Sequence, residues 1–337
     1  MIDHATIALV LPMALLLDRL VGDPDWLWRR LPHPVVAIGA LIDRIDEWRD
    51  GPAARSLLGG ADNAANARRA GVLLVIASAA LAFAVGGAVL AVYGIAPLLG
   101  FSVETALVAA LLAQRSLLEH VAAVEAGLGR SLAEGRRALS MIVGRDVRAL
   151  DESEVRRAAL ESLAENASDG IVAPVFWYAL GGVPGLVLYK AVNTADSMVG
   201  HLTERHRDFG RAAARLDDAM NWVPARLTAA LVALIAGMAR GGEAMRDCWA
   251  IARRDAPGHR SPNAGWPEAA FAAALGLRFG GPRAYGGESV EGVRLNREGA
   301  DDVASDDVAA GLALFSRLCL LLLGLALLGA VIALVVG

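Results

Sequence analysis

Three carboxylates fall at helical spacing in ESLAENASDG, residues 161–170: Glu161 and Glu165 are four apart, and Asp169 follows at the next step. Residues four apart share a helix face, where like charges are mildly destabilising in an isolated helix. A cation between them removes that penalty, and Mg²⁺ takes a few carboxylates while keeping waters or phosphate oxygens. The plain alternative is a solvated acidic face. Against it, Asn166 and Asp169 stand immediately before the apolar segment 171–189, where carboxylates are costly unless employed.

A second group is KAVNTADSMVGH, residues 190–201. Lys190, Asn193 and Asp196-Ser197 share a helix face, with His201 a turn beyond Ser197. A lysine, an amide and a carboxylate so placed hold phosphate and metal together; the simpler reading is Asp196 neutralising Lys190. Ser197 and His201 have no third member for a hydrolytic triad and are taken as substrate contacts. Lys190 is the one lysine among 32 basic residues, and lysine and arginine differ in hydration and in the ability to lose a proton. A third group, RLDDAMNWVPARLTA (215–229), pairs Asp217 and Asp218 ahead of Trp222, Pro224 and Arg226. It reads as a metal–phosphate site or as an interfacial anchor, since Trp and Arg suit the headgroup zone. In the fourth, SPNAGWPEAAFAAALGLRFGGP (261–282), Asn263 precedes a helix opening at Pro267, and Glu268 either caps that helix or meets substrate. The P-loop pattern GxxxxGKS/T is absent, so a nucleotide must be held differently.

These residues need positioning elements, and the composition says where. The 337 residues are 55% hydrophobic with mean hydropathy +0.46, and the excess collects in long apolar runs between charged stretches. A spanning helix needs about 20 apolar residues. Spans are predicted near 5–21, 70–99, 103–118 and 312–336. Segments 171–189 and 223–239, interrupted by Pro and Gly, read as broken or re-entrant membrane helices around a site, since freed backbone groups need cover at that depth. Arginines place 22–69, 119–170 and 240–311 on the cytoplasmic side. Soluble helices are expected over 131–143, from Asp151 to about 166, and over 267–277. Almost nothing reads as strand. The expectation is an all-α polytopic membrane protein forming one integral-membrane domain, with cytoplasmic helical segments. Net charge −4 gives no sign of nucleic-acid binding. Cys248 and Cys319 lie far apart, which argues against a disulfide framework or zinc site. His33, in the context PHP, is a candidate axial ligand for a metal macrocycle, though turn packing explains it better.

Six segments in this order resemble the CobD/CbiB family of cobalamin biosynthesis: DRLVGDPDWLWRRLPHPVVAIG (18–39), IVGRDV (142–147), ESLAENASDGIVAPVFWY (161–178), YKAVNTADSMVGH (189–201), RLDDAMNWVPARLTA (215–229) and SPNAGWPEAAFAAALGLRFGGP (261–282). The resemblance covers nearly the whole chain. It implies an inner-membrane, ATP-dependent ligase with its site facing the cytoplasm. That ligase joins adenosylcobyric acid to (R)-1-amino-2-propanol, as its O-phosphate, to give adenosylcobinamide phosphate. The expected cofactors are Mg²⁺ and ATP. The expected partners are the corrinoid, aminopropanol phosphate and membrane lipid, with self-association and contact with other membrane enzymes of corrinoid assembly left open. Physical reasoning on the motifs then assigns Glu161, Glu165, Asp169, Asp196, Asp217 and Asp218 to metal. Glu165, Asp169, Lys190 and Asp196 are expected to be catalytic. Arg145, Asn166, Asn193, Ser197, His201, Arg226, Asn263 and Glu268 are expected to bind substrate. Two rivals stand beside this: a Mg²⁺-dependent membrane prenyl- or phosphoalcohol transferase, although neither DDxxD nor NxxxDxxxD occurs, and a non-catalytic membrane regulator.

Overall fold

In hydrocarbon every backbone N–H and C=O must be satisfied within its own segment, so long apolar runs become helices. The computed structural model describes residues 4–58, 63–200, 203–281, 283–285, 288–290 and 292–336. Its helices in chain order are α1 (His4–Leu20), α2 (Asp25–Trp28), α3 (Pro34–Trp48), α4 (Pro52–Leu58), α5 (Asn63–Ile95), α6 (Pro97–Ala110), α7 (Gln114–Leu128) and α8 (Leu132–Leu139). There follow α9 (Glu152–Ala167), a π-turn (Ser168–Val172), α10 (Ala173–Val199), α11 (Arg211–Arg240), α12 (Gly242–Asp255), α13 (Gly265–Leu275) and α14 (Ser305–Val336). Helical stretches Ala64–Ile95, Pro97–Leu128, Glu152–Val199, Arg211–Arg240 and Ser305–Val336 are long and apolar enough to cross a membrane. The protein is an all-α, multi-pass membrane protein. Between α13 and α14 lie four short strands, β1 (Phe279–Gly280), β2 (Arg283–Tyr285), β3 (Glu288–Val290) and β4 (Arg294–Leu295), paired antiparallel as β1–β4 and β2–β3.

Local chemistry sets the boundaries. Pro97 cannot continue α5 and instead opens α6, where its missing N–H costs nothing. The segment expected to span near 103–118 is interrupted: α6 ends at Ala110, Leu111 and Leu112 bond back to the carbonyls three residues earlier, and α7 restarts at Gln114. Segment 171–189 is broken as expected, by the π-turn at its start and by Gly182, whose φ of +57° is open to glycine. Segment 223–239 is not broken. Pro224 denies a hydrogen bond to the Met220 carbonyl, but the Trp177 indole N–H donates to that oxygen at 3.1 Å, and α11 runs on unbroken.

The chain divides into two compact units: residues 1–112, 173–220 and 326–337 make the first, and 113–172 and 221–325 the second. Three of the four boundaries fall inside continuous helical runs and leave no mark in the sequence; the fourth falls in the break between α6 and α7. The core of the first unit gathers Ile38 and Ile42 of α3, Leu74 of α5, Ala191 and Ala195 of α10, and Phe209. Gly86 lets α5 approach α10, since a Cβ there would lie 2.5 Å from Pro184 Cγ. The second unit packs Leu160 and Leu163 of α9 with Phe271 of α13, Phe279 of β1 and Phe315 of α14. There, buried Asp255 accepts the Asn296 N–H at 2.7 Å, and the Asn296 side chain donates to the Leu277 carbonyl at 2.7 Å, fastening β4 beside the end of α13.

His33 is a packing residue. Its Nδ1 accepts the Val35 N–H at 3.2 Å to cap α3, its Nε2 lies 3.2 Å from Asp23 Oδ1, and its ring stands edge-on to Trp28. A second anchor in this unit is Asp46, which takes Arg49 Nε at 2.6 Å, Arg205 Nη2 at 2.9 Å and His206 Nε2 at 3.2 Å. Burial pushes this carboxyl up, but the hydrogen bonds from Arg205, Arg49 and His206 outweigh it and hold the group below the ordinary 3.8. The native state therefore binds the Asp46 proton more weakly than the unfolded chain. The resulting stability is complete above pH 3.8 and is lost as pH falls through the lowered native value. Asp46→Asn is expected to remove that component, so acid unfolding monitored in detergent should differ between the two proteins above pH 4 and converge below it.

Candidate functional site

In the second unit, α9 begins with a capping box. Asp151 accepts the Glu154 N–H at 2.8 Å, and Glu154 accepts the Asp151 N–H at 2.9 Å. This start fixes which α9 residues turn inward. Glu161 is buried, with Arg145 Nη2 at 2.9 Å from Oε2 and the Gly280 N–H at 2.7 Å from Oε1. One carboxylate thus ties α9 to the loop carrying Arg145 and to β1. Glu165 is exposed, and Asn166 donates to the Ser162 carbonyl at 2.9 Å. Asp169 sits within the π-turn, a feature often found at functional sites. The three carboxylates do not assemble round one point: among the described residues no three His, Cys, Asp or Glu side chains form a group able to hold a metal ion. Beside Arg145, the side chain and backbone N–H of Arg148 hold Asp146 down to about 2.

The same unit joins two other motifs. Arg226 reaches across 37 residues to Asn263 Oδ1 at 3.3 Å, and its guanidinium lies over the rings of Trp222, at 4.2 Å, and Trp266, at 4.7 Å. The expected interfacial anchor and the expected substrate contact are therefore one assembly. Glu268 is 1% exposed, with Oε1 3.6 Å from His259 Nε2. It does not serve as a surface cap for α13.

In the first unit, the second half of α10 packs on the start of α11 through Tyr189, Val192 and Met220. This brings two motifs together, with Asn193 Nδ2 donating to Asp217 Oδ1 at 3.2 Å. Lys190 is half-buried one turn before Asn193. The Ser197 hydroxyl donates to the Asn193 carbonyl at 3.0 Å. The Asp196 carboxylate folds over Gly200, where any Cβ would lie 2.0 Å from Oδ1. His201 lies outside the described residues. Beside Gly200 opens a cavity of about 480 Å³ whose wall also carries Arg68, Arg207, Asp208, Arg211, Arg215 and Asp218. Arg68 Nε is held by Asp208 at 2.8 Å. These four arginines were not among the expected site residues. The signal was present: Arg207, Arg211 and Arg215 recur every four residues immediately ahead of Asp217-Asp218.

The family model described as CobD/Cbib protein matches residues 11–315. The chain belongs to the CobD/CbiB family. Its relatives include proteins named cobalamin biosynthesis protein CobD. That of Brucella suis biovar 1 (strain 1330) is 50% identical over 331 residues, covering 98% of each chain. That of Rhizobium meliloti (strain 1021) is 48% identical over 316 residues, 94% of each chain. That of Rhodobacter capsulatus is 43% identical over 312 residues, covering 92% of this chain and 93% of the relative. No solved structure matches. As a CobD/CbiB family member the protein has a role in cobalamin biosynthesis. All the motifs that build both residue groups lie within the matched span.

Proposed function

We propose that this membrane enzyme forms the amide between adenosylcobyric acid and (R)-1-amino-2-propanol, as the O-phosphate, with ATP as the activating substrate. The observation that carries this reading is the junction of α10 and α11. Asn193 meets Asp217 there, one turn after Lys190, and the neighbouring Asp218 lines an arginine-rich cavity, a charge set suited to phosphoryl transfer. A carboxylate does not acylate an amine at neutral pH. Attack of the corrinoid carboxylate oxygen on the γ-phosphorus of ATP releases ADP and leaves an acyl phosphate. The amine nitrogen then adds to the acyl carbon, inorganic phosphate departs, and the nitrogen gives its proton to a nearby base. Such transfer is mostly positioning and charge neutralisation.

Asp196, Asp217 and Asp218 offer the hard oxygen donors that Mg²⁺ takes, and a Mg²⁺ bound by one or two carboxylates plus phosphate oxygens needs no three-carboxylate cage. Bound there, Mg²⁺ would neutralise phosphate charge. Glu165 and Asp169, in the second unit, are proposed by residue type for phosphate or for the proton. Lys190, Arg145 and Arg226 would face phosphate or developing negative charge. Asn166, Asn193 and Asn263 would orient amide and carboxylate groups. Ser197, His201 and Glu268 complete the proposed substrate contacts. The site is placed on the cytoplasmic face of the inner membrane, where the arginine-rich segments are expected.

The test is amide formation by purified, detergent-solubilised protein, omitting adenosylcobyric acid, aminopropanol phosphate, Mg²⁺ or ATP in turn, with product read by mass spectrometry. Loss of product on each omission supports the ligase; turnover without ATP favours a transferase; no turnover with any set favours a regulator. Asp196→Asn is expected to lower kcat/KM by about a hundredfold while insertion and thermal stability stay normal. Unchanged turnover would remove Asp196 from the chemistry.

A further inference from the structure

Asn263 and Glu268, both proposed as substrate contacts, are held by more than their own helix. Glu268 is buried, and a carboxylate at that depth is costly unless paired and hydrogen-bonded. Its direction is therefore set by the protein before any ligand arrives. Asn263 lies on the turn that enters α13. One side chain links the two. It is His259, 12% exposed and two residues ahead of the segment 261–282 that the motifs mark.

Each ring nitrogen of His259 has its own partner. Nδ1 accepts the Ser261 N–H at 3.1 Å, which puts the hydrogen of the neutral ring on Nε2. Nε2 lies 3.6 Å from Glu268 Oε1. That is a few tenths of an ångström beyond a good hydrogen bond, and the hydrogen bonds of a working site are commonly long without ligand and tighten when it binds. When the ring takes a second proton, the Ser261 carbonyl oxygen, 3.3 Å from Nδ1, can accept it, so the ring keeps its place in either state. From Ser261 the order passes to Asn263. The Ser261 hydroxyl accepts the Asn263 N–H at 3.2 Å and the Ala264 N–H at 3.1 Å, and Asn263 Oδ1 takes Arg226 Nη1 at 3.3 Å. Gly265 makes room for the imidazole, since a Cβ there would lie 2.6 Å from His259 Cβ.

We propose that His259 is a positioning residue of the site: its ring, fixed through Nδ1 to the turn that carries Asn263, aims the Glu268 carboxylate through Nε2–H. It touches no substrate itself. This rests on the proposed function only in taking Glu268 as a substrate contact; the contacts of the ring stand on their own geometry. A ring that did no more than secure the start of α13 would need the bond to Ser261 and not the approach to Glu268.

Two substitutions divide the work of the ring. His259→Asn keeps an acceptor near Nδ1, in the turn that asparagine makes with the N–H two residues on, and loses the donor toward Glu268. His259→Gln keeps a donor near Nε2 and loses the acceptor for Ser261. Both full-length variants are compared with the unaltered protein in the ligation assay and in thermal unfolding in detergent. His259→Asn is expected to keep its unfolding midpoint and to lose about a hundredfold in kcat/KM. His259→Gln is expected to unfold at a lower temperature yet stay within about tenfold of the unaltered protein in kcat/KM. Turnover that follows stability instead, with His259→Asn active and His259→Gln impaired, overturns the proposal and leaves His259 as a clamp on the helix start. Nuclear magnetic resonance of protein carrying isotope-labelled histidine needs no turnover, and loss of one signal in His259→Asn assigns it. The expected signal is a neutral ring protonated at Nε2, its N–H proton shifted downfield toward a carboxylate and moving back in Glu268→Gln. A neutral ring protonated at Nδ1, or a signal unmoved in Glu268→Gln, overturns the proposal whatever the ligation assay gives. A signal that moves in a protein forming no amide supports the pairing and counts against the ligase reading alone.

Discussion

Glu161→Ala is expected to destabilise the protein by about 3–5 kcal/mol, the range for removing one partner of a buried ion pair. Two groups lose their acceptor together. The Arg145 guanidinium, its side chain 13% exposed, keeps its charge with no counter-ion at 2.9 Å. The Gly280 N–H, at 2.7 Å from Oε1, loses the carboxylate that tethers β1 to α9. Replacing both partners by apolar residues, Glu161→Leu with Arg145→Met, should recover much of the loss, because the stranded charge goes with its partner. Unfolding in detergent, followed by tryptophan fluorescence, measures all three proteins. If the double variant is no more stable than Glu161→Ala, the ion pair is not what Glu161 contributes. If Glu161→Gln keeps stability but loses turnover, its role in the chemistry outweighs its role in the fold.

That prediction reverses the weight that spacing gave to Glu161. From sequence, positions 161, 165 and 169 look equivalent, because a helix face is all that a four-residue spacing reports. Burial separates Glu161 from Glu165, and it comes from Arg145, sixteen residues before, and Gly280, 119 residues after. Neither partner can be named from a local pattern. The capping box at Asp151 could be read directly, because a cap is a contact between residues three apart. Pro224 shows the same limit in the opposite direction. Its ring is a valid local reason to break a helix, yet Trp177, 43 residues from Met220 and on another helix, supplies the donor that keeps α11 whole. The strands at 279–295 are two or three residues long, too short for an alternating pattern to register.

The site was legible in the same proportion. Asn193 and Asp217 were singled out on separate motifs and meet at 3.2 Å; Arg226 and Asn263 do likewise at 3.3 Å. What the motifs did not reveal was the cavity wall, since arginines flanking an apolar segment already had an explanation in membrane topology.

A second large effect is expected at Glu104, a buried carboxylate in α6 within an apolar span. Tyr93 of α5 donates its hydroxyl to one oxygen and Tyr178 of α10 donates to the other, both at 2.8 Å. Gly100 leaves the space into which the Tyr93 ring fits, for a Cβ there would lie 2.4 Å from Tyr93 Cγ. Three helices of the first unit are thus joined at one residue, ahead of the break at Gly182. Glu104→Ala strands two buried hydroxyls at about 1–3 kcal/mol each, so a loss of roughly 2–6 kcal/mol is expected. Glu104→Gln keeps one acceptor oxygen and should cost only about 1 kcal/mol. Combining Glu104→Leu with Tyr93→Phe and Tyr178→Phe removes donors and acceptor together, and should be markedly milder than Glu104→Ala. Thermal unfolding of the set in detergent checks the order. A triple variant as unstable as Glu104→Ala would mean that packing, not the hydrogen bonds, fixes these helices. Normal stability in Glu104→Gln with turnover lost would instead make this intramembrane carboxylate a working group, the usual reason one is retained at such depth.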